Sequence, residues 1–218
     1  MDERAQKGER RWPMAAAVLL AGVLRTFLPP ELRLNDARPL VPVVLIVLMG
    51  ALIVGDPGRI DRDKRWLRIL TGSLIGLVTF TNAGSSIRLV YGIFVDEPFT
   101  TSASTLLRAG GIIWLTNVIA FGLWFWAVDQ GGPVRRHEPD PPPHDFQFPQ
   151  LENPELAEPG WYPKLFDYLY VSFTNSIAFS PTDSMPLTRR AKALMLAESA
   201  VSAVTVLLVA ARAVNIFT

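Results

Sequence analysis

The chain of 218 residues has no cysteine, only two histidines and few charges. Without cysteine there is no disulfide, no thiol nucleophile and no cysteine-ligated metal site. His137 and His144 stand in a proline-rich stretch at a spacing that matches no metal motif, so no metal and no cofactor are expected. No helix carries a two-histidine metalloprotease signature and no loop carries a phosphate-cradling glycine pattern. Catalytic apparatus is therefore missing, and an enzyme is not expected. Basic residues are not interleaved with aromatics in a patch, and the net charge is +1, which gives nucleic acid no footprint.

Charged residues make up 19% of the chain and hydrophobic ones 50%, against roughly 25% charged in soluble domains. The charges cluster and leave long apolar runs between them, which is the pattern of an integral membrane protein. A hydrocarbon core of about 30 Å needs roughly 20 helical residues. Five segments approach or exceed that: Trp12 to Leu28, Pro39 to Val54, Trp66 to Phe94, Leu106 to Val128, and Arg190 to Phe217. Pro29-Pro30 follow the first run where a signal peptide would have small residues, so a retained helix is expected. The expected fold is all-α and integral to the membrane, with five transmembrane helices and a re-entrant hairpin before the last.

Three regions follow: a four-helix membrane region over 1–132, a proline-rich soluble linker over 133–163, and the hairpin with the final helix over 164–218. Half of the 18 prolines fall between Pro133 and Pro163. Proline blocks helix continuation and lacks a donor, so an extended, water-exposed linker able to recruit a cytoplasmic partner is expected. Lys and Arg concentrate at the N-terminus, around Arg59 to Arg65 and between Arg135 and Lys192. The positive-inside rule then puts the N-terminus and the linker in the cytoplasm of a bacterial plasma membrane, and the C-terminus outside.

Two helix faces stand out. In the last helix Glu198, Ser202, Thr205, Val209 and Arg212 follow spacings of 4, 3, 4 and 3, which aligns them on one face. Glu198, Ser202 and Thr205 are candidates to line a cavity; an interhelical hydrogen-bonded pair is the alternative reading. In the third helix Gly72 and Gly76 begin a small-residue face that suits close packing, and Asn82 is expected to bond a neighbour. Arg25, Arg88, Arg108 and Arg212 are expected to snorkel to the outer interface.

Between the fourth and fifth helices lies Tyr168 to Thr188, aromatic, hydroxyl-rich and too short to span with its flanks. Tyr170 to Thr188, followed by the last helix, resembles the pore loop and inner helix of the tetrameric potassium-channel superfamily. Ser172 matches in the pore helix, Asp183 at the end of the filter, and Pro186 and Thr188 behind it. The composition is also similar to that of Ala/Arg/Pro-rich bacterial membrane proteins of actinobacterial type. The filter itself departs from the family. Ser180 and Thr182 stand where it has glycines and Pro181 where it has tyrosine. A potassium filter aims successive carbonyls at the axis, in a conformation that glycine allows and proline does not. The resemblance thus implies an oligomeric channel-like pore with a non-potassium filter, a tetramer, in which Ser180, Pro181, Thr182 and Asp183 form the narrow part. A non-conducting scaffold or accessory subunit is the alternative. The family's loop enters from outside, whereas the charges here imply entry from the cytoplasm. Either the hairpin is inverted, as in ionotropic glutamate receptors, or one helix is miscounted.

Overall fold

A computed structural model describes residues 8–33, 40–178 and 183–217. Seven helices carry the fold: α1 (Trp12–Thr26), α2 (Leu40–Gly55), α3 (Arg65–Phe94), α4 (Ala103–Val128), the single turn α5 (Pro149–Glu152), α6 (Leu165–Ala178) and α7 (Arg189–Phe217). Among the described residues the sheet is one antiparallel pair, β1 (Phe146–Gln147) with β2 (Met185–Pro186).

Local sequence explains where the helices stop and start. Pro13 sits in the first turn of α1, where its missing N–H is no loss. Asp56-Pro57-Gly58 ends α2, with Gly58 at φ +78°. The Ser102 hydroxyl accepts from the Thr105 N–H and caps α4. Gly132, at φ 104° and ψ 176°, holds a conformation that only glycine adopts readily and turns the chain off the end of α4. The Ala191 N–H donates to the Thr188 hydroxyl, which makes Thr188 the cap of α7.

Helix α4 is the hub, packed against α1, α3, α6 and α7. Its glycines admit neighbours. A Cβ on Gly122 would fall 3.0 Å from the Leu169 backbone of α6, and one on Gly110 would fall 2.9 Å from the Val209 side chain of α7. Gly72 and Gly76, expected to serve that purpose, have nothing within 4 Å of such a Cβ. There is open space at both positions in the protomer, and the close contacts lie on α4 instead.

The bundle has two ends. At the first, Glu9 bonds Trp126 and Arg136, Arg11 pairs with Asp56, and Arg190 at the start of α7 bonds the Val128 carbonyl at the finish of α4. At the second, Arg212 near the finish of α7 pairs with Asp96 in the α3–α4 loop. Helices α4 and α7 therefore run antiparallel over their length.

Two helical stretches, Ala103–Gly131 and Arg189–Ile216, are long and apolar enough to cross a membrane. Helices α1 and α2 are apolar but shorter, at 15 and 16 residues. Helix α3 has the length, at 30 residues, but carries Arg65, Arg68, Arg88 and a run of hydroxyls.

The proline-rich stretch corrects the expectation of a water-exposed linker. Phe146 and Phe148 are buried in the main core, where their rings meet Phe125 and Tyr168. Asp145 and Arg136 are buried as well. The prolines keep helix to single turns and leave the chain free to lie across the bundle end, and its aromatic residues supply apolar area to bury there. What remains exposed is mainly the acidic portion around Glu152, Glu155 and Glu158.

Candidate functional site: the re-entrant hairpin

Helix α6 begins at the first end of the bundle. There Tyr168 donates to the buried Asp129 carboxylate at 2.5 Å. Asp129 also accepts from the Asp145 and Phe146 N–H groups, at 2.7 and 3.2 Å, so one carboxylate joins the end of α4, the start of β1 and the root of α6. From there α6 descends between α4 and α7. Its 14 residues span about 21 Å at the helical rise, short of the roughly 30 Å of a hydrocarbon core.

The return limb climbs back to the end from which α6 set out. Pro186 pairs with Phe146 and Met185 with Gln147. The Leu187 N–H donates to the Asp145 carbonyl at 2.8 Å, and the Thr188 hydroxyl donates to the Asp145 carboxylate at 2.5 Å. Arg190 grips the same carboxylate through Nε, at 2.5 Å, and Nη2. Asp145 thereby fixes the first turn of α7 against the prolines. Helices α6 and α7 start at one end of the bundle, and the chain between them turns back without crossing it.

The inner face of α7 holds the hairpin in place. Glu198 is fully buried. Its carboxylate accepts from the Ser172 hydroxyl and, at 2.7 Å, from the Asn175 amide, both on α6. Ser172 also reaches the Val118 carbonyl of α4, and Asn175 the Met195 carbonyl of α7. One turn on, Ser202 accepts from the Asn117 amide of α4 at 3.0 Å, and Thr205 bonds Ser86 of α3 at 2.9 Å. The expectation that Glu198, Ser202 and Thr205 line an open cavity is corrected. All three are buried with partners inside the protomer, because their stripe is the side of α7 that meets α6, α4 and α3. The interhelical reading describes them.

Of the filter candidates, Ser180, Pro181 and Thr182 lie outside the described residues. Asp183 is exposed and lies beside the Tyr170 hydroxyl. Of the motif behind it, Pro186 forms part of β2 and Thr188 caps α7. Asn82 donates to the Ile113 carbonyl of α4. Arg25 does not snorkel: it is buried, and its guanidinium donates to the Thr81 carbonyl and the Ser85 hydroxyl at 3.3 Å.

Reasoning from sequence missed Asn117, Asp129, Asp145 and Asn175. A signal existed for one of them: Tyr168, Ser172 and Asn175 follow spacings of 4 and 3, a polar face on a short helix. Asp129 and Asp145 act through the fold of the proline-rich stretch, which no periodicity encodes.

The site is a buried polar seam that clamps a half-length helix between two long ones. Comparison of the chain with family models, with curated proteins and with solved structures gives no match.

Proposed function

We propose that this chain is the protomer of an oligomeric, channel-like pore in a bacterial plasma membrane, with a filter unsuited to potassium. The observation that supports it is the half-helix α6, clamped by Glu198, with its return limb leading back to the end where α6 begins. Irregular backbone at membrane depth is tolerated only where protein or a water-filled path surrounds it, so a hairpin of this kind belongs with copies that enclose it. In this reading α1 to α4 and α7 are the five spans, with α1 and α2 short ones. Large apolar side chains facing outward along them fit a lipid environment, among them Leu19, Val23, Ile46, Val47, Phe80 and Ile87. The basic residues gathered at the first end put that end, and hence the entry of the hairpin, in the cytoplasm.

One α7 cannot enclose a path, so copies must meet, four of them if the resembled architecture holds. The outward faces of α6 (Phe166, Tyr170, Phe173, Ile177) and α7 (Leu196, Val204, Leu207) are apolar and suit such a junction. The filter is the 180–183 segment, with hydroxyls and the Asp183 carboxylate favouring cations. The polar seam of α7 positions the hairpin and does not line the path. The test is flux through the full chain in liposomes. Cation flux altered by Asp183→Asn, from a tetramer, is expected; a monomeric or dimeric protein with no flux overturns the proposal.

A non-conducting scaffold is the second reading, and one observation favours it. Glu198, Ser202 and Thr205 all find partners within the protomer, as in a hairpin that merely closes a bundle. The exposed acidic stretch at Glu152 to Glu158 would then be the recruiting surface.

A further inference from the structure

A cavity of about 760 Å³ opens between α1 and α6 at the first end of the bundle. Its mouth is basic. Arg10, Arg59 and Lys164 all line it. Arg10 and Arg59 are brought side by side by an antiparallel backbone bridge, and Lys164 lies over the Tyr162 ring, 5.1 Å from its centre. Glu9, the one acid among the described lining residues, is committed elsewhere. It is buried, and its oxygens go to Trp126 and Arg136 at 2.9 and 3.2 Å. Asp167 turns back to the Lys164 N–H and caps its own helix.

Below the mouth the walls become apolar. Ala16 and Leu20 of α1 face Phe166 and Leu169 of α6, over a floor made by Ile119 of α4. Leu20 lies eight residues beyond Trp12, about 12 Å along the helix, which matches the depth of the first part of an acyl chain. Trp12 and Tyr162 flank the entrance, the residue types that collect at headgroup level.

We infer that this groove is a binding site for one anionic phospholipid, its phosphate held by Arg10 and Lys164 and one acyl chain lying between α1 and α6. Opposite charge at the mouth and apolar walls below it fit both ends of such a molecule and neither a zwitterionic lipid nor a soluble anion. One wall of the groove is the root of α6, so the lipid braces the hairpin where it enters. The inference rests on the membrane reading but not on conduction: a protein that conducts nothing and still retains the lipid sinks the pore and leaves this site intact.

The test is native mass spectrometry of the purified full chain offered equal phosphatidylglycerol and phosphatidylcholine. One phosphatidylglycerol should be retained in preference, and Arg10→Gln with Lys164→Gln should lower that preference roughly tenfold or more. Leu20→Trp, which fills the groove, should lower retention of both lipids. Added phosphatidylglycerol should also raise the thermal midpoint of the unaltered protein more than phosphatidylcholine does, a readout that needs no variant. Equal retention of the two lipids, or a preference that neither substitution changes, overturns the site. So does competition by glycerol phosphate as effective as that by the lipid, since it would mark a soluble-anion site.

Discussion

At the scale of single residues, the fold depends on a few buried polar groups whose partners come from distant parts of the chain. Glu198 is the plainest case. Glu198→Ala leaves one N–H of the Asn175 amide without its acceptor in the bundle interior and removes one of the two acceptors that the Ser172 hydroxyl meets, which should cost about 1–3 kcal/mol. Glu198→Gln keeps an acceptor for Asn175 and should cost clearly less. Thermal unfolding of both variants in one detergent checks the order; equal losses would contradict the clamp.

Glu9 offers a pH test at the same scale. Burial raises its carboxyl above the usual 4.5, outweighing the Arg136 guanidinium and the Trp126 N–H that favour the charged form. A folded-state pKa raised above the unfolded one means that folding favours the proton. The resulting stability is complete below pH 4.5 and is lost as pH rises through the folded value. Glu9→Gln, neutral throughout, should flatten that part of the profile of thermal midpoint against pH. An unchanged slope would show that Glu9 does not produce it. Removing Arg136 alone should cost about 3–5 kcal/mol, because a buried acid would be left without its partner.

At the scale of elements, much was legible and the failures were of a single kind. The apolar runs gave α3, α4 and α7 to within a few residues, since length and composition suffice there. The short, hydroxyl-rich helix was legible as a segment too short to span, and the return behind it only through the likeness of Asp183, Pro186 and Thr188 to a pore loop. Three features were not. The glycines that permit close packing are Gly110 and Gly122, not the regularly spaced Gly72 and Gly76, because spacing says which glycines share a face and not whether a neighbour faces them. The prolines of 133–163 keep helix to single turns, but they do not report that Phe146 and Phe148 have a core to enter. The polar stripe of α7 was visible, yet its direction depends on where α6 lies. Gly122→Val should force α6 off α4 against the Leu169 backbone and lower the thermal midpoint, whereas Gly72→Ala and Gly76→Ala meet open space in the protomer. Thermal unfolding of the three variants separates a close contact from a mere spacing.

At the scale of the whole molecule, the central claim is that the chain turns back between α6 and α7, leaving the start of α1, the proline-rich stretch and the root of the hairpin at one end of the bundle. The polar seam is part of that arrangement, and the proposed pore and lipid site both depend on it. The absence of cysteine makes it directly measurable. Glu155→Cys, Leu187→Cys and Thr101→Cys each place one thiol at an exposed position. Labelling by a membrane-impermeant maleimide, in intact cells and then in inside-out vesicles, reads the side on which each lies. The account predicts that positions 155 and 187 label together from the cytoplasmic side and position 101 from the other. Labelling of 155 and 187 from opposite sides would mean that α6 crosses the membrane, and would contradict it.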